Sequence, residues 1–329
     1  MAEKILVTNA MIAAPARALI AARGAEVFFL PISTPLDEFR RVVAREEVDA
    51  IISRTLRIDG ATMDASPRLK VISKHGTGVD NIDIEAATAR GIAVLFALAG
   101  NARSVAEHTL ALILALAKRL VPLDVEIRRG TWPREGYQGI EIAGRQLGLV
   151  GYGNIGRLVA PLAQAFGMRV AVYDPYVPAD GVPPGIERCA ALRDLLEAAD
   201  FVSLHCPLTA ETTGLIGEAE LATMKRGAFL INAARGAVVD EAALIAALRA
   251  GAIAGAALDS FTAEPAVSDS PLWSLPNTIY TPHIAAITGA ASERVALQSV
   301  ENAFAVLDGR APDPRCLVNP AALGRRHQR

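Results

Sequence analysis

The chain of 329 residues carries a net charge of −2, with 52% hydrophobic and 21% charged residues. That balance offers no polybasic surface for nucleic acid or an anionic membrane, and the length is enough for two cored domains. Cys189, Cys206 and Cys316 are too few and too irregularly spaced for a disulfide framework or a zinc pattern, so no metal is expected.

The opening Met-Ala-Glu-Lys-Ile-Leu-Val reads as a first strand rather than a secretory signal. Short apolar runs at 4–8, 26–30, 50–53, 69–73 and 92–96 read as buried strands, with amphipathic stretches at 13–22, 36–46 and 84–90 between several of them. This βα alternation predicts a parallel sheet covered on both faces. Residues 101–119 read as one long helix rich in Ala and Leu. Its most apolar part, 109–117, is too short to span a bilayer. A cytoplasmic protein is the expectation.

A second series of runs follows at 146–150, 169–173, 201–205, 228–231, 253–258 and 278–280. The fold class expected is therefore α/β with two doubly wound parallel-sheet domains. The helical pattern at 290–307 has no further strand to serve in the second sheet and is expected to return to the first. That makes the first domain discontinuous, 1–100 plus 287–329, around a second domain at 101–286. The tail after Pro320 is basic and expected to fray.

Within the second series, Gly151-Tyr-Gly-Asn-Ile-Gly156 sits between a strand and a helix. The glycines let the turn close and let backbone N–H groups approach a pyrophosphate at the helix N-terminus. Asp174 closes the next strand, where a carboxylate accepts from both hydroxyls of an adenosine ribose. The set Gly151, Gly153, Asn154, Ile155, Gly156 and Asp174 thus predicts dinucleotide binding. Asp174 would repel a 2′-phosphate, and Pro175 and Tyr176 offer no arginine to receive one, so NAD is the cofactor expected.

Further motifs follow in order: His75-Gly-Thr-Gly-Val-Asp-Asn-Ile-Asp83, Asn101-Ala-Arg-Ser-Val-Ala-Glu-His108, Asp174-Pro175, His205-Cys-Pro-Leu208, Asn232-Ala-Ala-Arg-Gly236, the segment 259–265, and Pro282-His-Ile-Ala-Ala286. With the glycine-rich turn they cover most of the chain from about residue 50 to 310 in register. On these motifs the chain resembles the D-isomer-specific 2-hydroxyacid dehydrogenase family, especially its phosphoglycerate dehydrogenase-like branch. The resemblance implies a flavodoxin-like substrate domain, a Rossmann NAD-binding domain, and a homodimer built around the long helix. It also implies cofactor contacts from Thr77, Cys206, Pro207, Thr212, Ala233, Arg235, Asp259, His283 and Ala285.

Residue chemistry points the same way. Hydride transfer at C2 of a hydroxy acid needs a cation for the carboxylate and an acid/base for the hydroxyl. Arg235 offers the planar fork that pairs with a carboxylate, and His283 an imidazole that titrates near neutrality. Glu264 can hold the other ring nitrogen. These three match the family's Arg, Glu and His one for one. His75, His108 and His205 read as structural, with Glu107 and His108 packing at the hinge.

For the substrate, the turn Gly76-Thr77-Gly78 can point N–H groups at an anion. By resemblance Asn101 also touches substrate. Arg54 and Lys74, each following a strand, are candidates for a distal phosphate, as is Arg134 toward a partner subunit. The order expected is 3-phosphoglycerate, then glycerate/hydroxypyruvate or glyoxylate. The run Phe96-Ala-Leu-Ala-Gly100 departs from the Asn-x-Pro-Gly common in the family and alters the pocket rim. The alternatives are an NAD-sensing corepressor-like binding protein of the same fold, or an oxidoreductase of the phosphite dehydrogenase type. The Glu at position 264 argues against a formate dehydrogenase, which has Gln there. No appended regulatory domain is expected.

Overall fold

The computed structural model describes residues 2–98 and 100–325. Ala99 of the departing run and residues 326–329 of the basic tail lie outside them. The chain divides into two compact units, one running to Asn101 and resuming at Ile287, the other Ala102–Ala286.

In the first unit, β1 (Lys4–Val7), β2 (Glu26–Phe29), β3 (Ala50–Ser53), β4 (Val71–Lys74) and β5 (Ala93–Phe96) form a parallel sheet in the order β2-β1-β3-β4-β5. Each strand is only four residues long, and alternate side chains feed two cores. Ile5, Val7, Ile52 and Leu95 face one; Leu6, Ile51, Ile72 and Val94 face the other. The helix Gly289–Leu307 belongs here. Its Ala296, Val300, Ala303 and Phe304 recur at helical spacing and close the first of these cores.

The second unit holds β6 (Gln146–Val150), β7 (Arg169–Tyr173), β8 (Glu187–Arg188), β9 (Phe201–Leu204), β10 (Phe229–Asn232), β11 (Gly255–Leu258) and β12 (Thr278–Tyr280). They pair in parallel in the order β12-β11-β10-β9-β6-β7-β8. Strand order reverses between β6 and β9. Open α/β sheets bind their ligands at such a switch point, beyond the C-terminal strand ends. Leu110, Ile113 and Leu116 of the helix Ala102–Ala117 pack with Leu147 and Leu149 on one face of this sheet.

The long helix is found as Ala102–Ala117; after it Arg119 takes a left-handed φ of 51° and a further helix, which the sequence reading did not anticipate, runs Leu120–Arg128. Two expectations are corrected. Glu107 does not pack; it is exposed and pairs with Arg103 one turn away. Lys74 does not follow its strand but ends it, because β4 lies further along the chain than the apolar run suggested. Among the described residues no helix is long and apolar enough to cross a membrane, and no group of side chains could hold a metal ion.

Candidate active site

Both flanks of the nucleotide turn are built from the switch point. Gly151 has a φ of +98°, and a Cβ there would lie 2.8 Å from the Cys206 nitrogen. A Cβ on Gly156 would stand 2.5 Å from the Gly151 carbonyl oxygen, whereas one on Gly153 would meet nothing within 4 Å. Two glycines therefore allow the turn to pack and the third leaves its outer side open for a phosphate to approach. The helix that follows, Gly156–Ala165, has no capping side chain, so its first N–H groups are available to an anion.

Asp174 holds this turn as well as facing the ribose position. One carboxylate oxygen accepts from Tyr152 N at 2.8 Å and the other from Tyr176 N at 2.9 Å. Each oxygen keeps a lone pair for a hydroxyl. The residues present therefore fit a dinucleotide.

On the β9 side, Cys206 is half-buried, and burial pushes its thiol up to about 11. It is a neutral wall rather than a nucleophile. Thr212, expected at the cofactor, is turned inward. Its hydroxyl donates to the Pro207 carbonyl at 2.6 Å and accepts from Thr209 N at 2.8 Å, closing the loop. Tyr176 donates to Glu211 at 2.5 Å, joining the loops after β7 and β9. Nothing local in the sequence announces that contact.

The acid/base candidates come together in the second unit. His283 Nδ1 lies 2.7 Å from Glu264 Oε2, with both side chains partly exposed. The other oxygen of Glu264 accepts from Phe261 N at 3.0 Å. Arg235 follows β10, where Asn232 folds the loop back by donating to the Arg235 carbonyl at 2.9 Å and accepting from Ala234 N at 3.0 Å. Ala233 lies half-buried in the same loop.

Asp259, expected as a cofactor contact, is 1% exposed. Its carboxylate accepts from Thr281 Oγ1 at 2.6 Å, Ile284 N at 2.9 Å and Ala285 N at 2.9 Å. In this structure it therefore secures the His283 loop, and Ala285 is buried with it. Sequence reasoning missed this network, whose members lie far apart in the chain.

In the first unit, Gly76 has a φ of +138° and opens the turn with Thr77 exposed at its tip and Gly78 after it. Asn101 is half-buried where the chain leaves this unit, just past Gly100. A Cβ on Gly100 would lie 2.8 Å from Val295 of the returning helix. The ammonium of Lys74 is held by the Arg54 carbonyl and by Asn81 Oδ1. Two of its three N–H groups thus brace the loop. Arg54 is different. Its guanidinium is half-buried, burial lowers its affinity for the proton, and no carboxylate pairs with it among the described residues. The same cation, with burial as the larger cause, holds His75 neutral, with a pKa of about 4. Arg134 lies on an exposed loop.

Residues 110–285 match the family model of the D-isomer specific 2-hydroxyacid dehydrogenase, NAD binding domain. The chain belongs to the D-isomer-specific 2-hydroxyacid dehydrogenase family. Among its relatives is D-3-phosphoglycerate dehydrogenase of Mycobacterium tuberculosis, 43% identical over 89% of this chain and 56% of the relative. The chain thus spans little more than half the length of the curated phosphoglycerate dehydrogenases it matches. It is also 43% identical to (S)-sulfolactate dehydrogenase of Chromohalobacter salexigens, over 84% of this chain and 90% of that protein. The crystal structure of the TT0316 protein from Thermus thermophilus superposes with a TM-score of 0.88 at 41% identity, covering 96% of this chain and 99% of the other. The glycine-rich turn and Asp174 therefore sit in an NAD-binding domain of this dehydrogenase family.

Proposed function

We propose that the protein is an NAD-dependent oxidoreductase that moves a hydride between the nicotinamide and C2 of a small D-2-hydroxy acid or its 2-oxo partner. The 2.7 Å contact between His283 Nδ1 and Glu264 carries this reading. With Nδ1 bound to the carboxylate, Nε2 is the ring atom left to meet the substrate hydroxyl. It takes the hydroxyl proton during oxidation and returns it during reduction. Glu264 fixes the ring and stabilises its charged form, and Phe261 N keeps that carboxylate from turning away. Arg235 receives the substrate carboxylate as a planar two-pronged donor. Bound NAD would supply the hydride acceptor, its pyrophosphate over Gly153 and its ribose on Asp174.

Arg54 supports a substrate with a second anion on C3. A half-buried guanidinium without a carboxylate partner is costly to keep, and an anionic substituent would offset that cost. Phosphoglycerate and sulfolactate, the substrates in the names of two relatives, both carry such a group. The order of preference is 3-phosphoglycerate, then glycerate/hydroxypyruvate and glyoxylate.

The deciding experiment is steady-state turnover with NADH across 3-phosphohydroxypyruvate, hydroxypyruvate, glyoxylate, pyruvate and a long apolar 2-oxo acid. The phosphorylated acid is expected to be best, and His283→Asn is expected to lower turnover by about 10²–10⁴-fold. NADH binding without turnover of any of these acids would point to a binding protein instead. A long apolar acid as best substrate would overturn the anionic reading alone.

The partner that fits the surface is a second copy of this chain. The helix Leu120–Arg128 has no buried residue, and it exposes Leu120, Val121, Val125 and Ile127 beside Trp132, which is 77% exposed. An apolar strip of this kind on one element marks an interface. A monomer by light scattering at micromolar concentration would count against it.

A further inference from the structure

His108 is remote in sequence from the Glu264–His283 pair, yet its ring reaches the end of β12. Nε2 lies 3.2 Å from Thr281 Oγ1 and 3.7 Å from Asp259 Oδ1. A proton count settles the direction of these bonds. Thr281 has one hydroxyl hydrogen, and at 2.6 Å it is spent on the Asp259 carboxylate. The hydrogen between His108 and Thr281 must then come from His108. Its Nε2 carries the proton and donates to a lone pair of the hydroxyl.

We infer that His108, acting through the Thr281 hydroxyl and Asp259, is a positioning residue for His283. The inference rests on the acid/base reading of His283 given above. His283 has a φ of +54°, a left-handed conformation that costs a non-glycine residue about 1–3 kcal/mol unless its surroundings enforce it. Here they do. Thr281 on one side, and Ile284 and Ala285 on the other, are tied to the same buried carboxylate. His283 N itself donates to the Thr281 carbonyl at 3.0 Å. The turn is clamped at both ends by Asp259, and the Thr281 end is aimed by His108.

His108 is itself well anchored. Its neighbours Val105, Ala106, Thr109 and Leu110 are buried in the helix Ala102–Ala117. That helix begins where the chain leaves the first unit. The imidazole thus ties a rigid element to the loop bearing the proton carrier. Without its N–H the Thr281 hydroxyl can rotate, and the carboxylate loses its hold on one side of the turn.

Two substitutions remove the link and two preserve it. His108→Leu and Thr281→Val delete a donor, whereas His108→Gln places an amide N–H near Nε2 and Thr281→Ser keeps the hydroxyl. The deleting variants should lower kcat on the best 2-oxo acid by roughly tenfold to a hundredfold, while the NADH dissociation constant is unchanged. The preserving variants should recover most of that loss. The double variant His108→Leu/Thr281→Val should be no worse than Thr281→Val, since both cut one chain of bonds. Multiplied losses in the double variant, or wild-type kcat in His108→Leu, would overturn the inference.

Nitrogen NMR of 15N-histidine-labelled protein at pH 8 reads the link without any turnover. A His108 ring protonated at Nε2 is expected, and a ring protonated at Nδ1 alone would also overturn the inference. His283→Asn run in parallel separates the two levels. If it retains full turnover, the acid/base reading has failed. If it is inactive while His108→Leu is not, only the positioning role has failed.

Discussion

Gly236 lies so close to Phe261 that a Cβ on the glycine would stand 2.0 Å from the Phe261 carbonyl carbon. The loop bearing Arg235 and the loop bearing Glu264 are therefore packed backbone to backbone. Phe261 cannot retreat easily. Its ring stacks edge-on with Trp273 at 5.6 Å between centroids, and Trp273 meets Tyr280 at 5.0 Å. A single methyl group, as in Gly236→Ala, must separate the two loops. We expect a stability loss of about 1–3 kcal/mol, the usual cost of overpacking. We also expect a fall in kcat/KM well beyond what the fraction folded explains, because Arg235 and Glu264 are displaced relative to one another. Thermal unfolding and steady-state kinetics on the same preparation check it. Wild-type kcat/KM in Gly236→Ala would show that the contact does not set the site.

Asp174 is expected to set the choice of cofactor. A ribose 2′-phosphate would meet its carboxylate, and Tyr176 beside it points to Glu211 rather than supplying a cation. NADH should bind at least about tenfold tighter than NADPH, some 1.4 kcal/mol. Because Asp174 also accepts from Tyr152 N and Tyr176 N, its removal would disturb the turn. Asp174→Asn keeps an acceptor and removes the charge, so it should narrow the preference without unfolding the loop. Fluorescence titration with both cofactors measures this. Equal affinities in the wild type would contradict it.

The sheets were legible because their signal is local. Runs such as 146–150, 169–173 and 278–280 match β6, β7 and β12. Strand edges were less so: β4 begins two residues later than its apolar run, since Leu69 is buried without joining the ladder. The two-residue strand β8 has both residues exposed and left no apolar pattern. The helix Leu120–Arg128 left no readable pattern, because Pro122 stands in its first turn and none of its residues is buried. At the site, residue chemistry together with the family resemblance singled out Glu264 and His283, which the structure brings together. Contacts between residues distant in the chain escaped the sequence: Lys74 bracing Arg54, and Asp259 gathering donors around His283.

Arg54 gives the substrate prediction its sharpest form. Arg54→Ala should cost the phosphorylated 2-oxo acid roughly 1.5–3 kcal/mol in kcat/KM, about tenfold or more, the range of a hydrogen bond to a charged group. Hydroxypyruvate, with no second anion, should lose far less. Lys74→Ala is expected to hurt both substrates alike, because its ammonium supports the Arg54 carbonyl and Asn81. Steady-state kinetics with the two substrates separates these patterns. Equal losses in Arg54→Ala would remove Arg54 as the receptor of the distal group.

His205 makes stability depend on pH. Burial lowers its pKa to about 4. Nε2 is engaged with Ser203 Oγ at 3.0 Å, while Nδ1 is buried without a partner among the described residues. In the unfolded chain the ring titrates near 6.5. Between about 6.5 and about 4 the unfolded state therefore binds the extra proton, and stability falls as pH falls through that window. Above 6.5 neither state is protonated and the effect vanishes; below about 4 it has reached its full size. His75, also held near 4 by burial and by Arg54, adds a second contribution of the same sign in the other unit. Each histidine can contribute up to about 1.4 kcal/mol per pH unit within the window. The melting temperature should thus drop steeply from pH 6.5 to pH 4.5. Replacing His205 with Gln, which has no proton to gain, should flatten that slope. An identical slope in His205→Gln would show that His205 is charged in the folded protein or that other groups dominate.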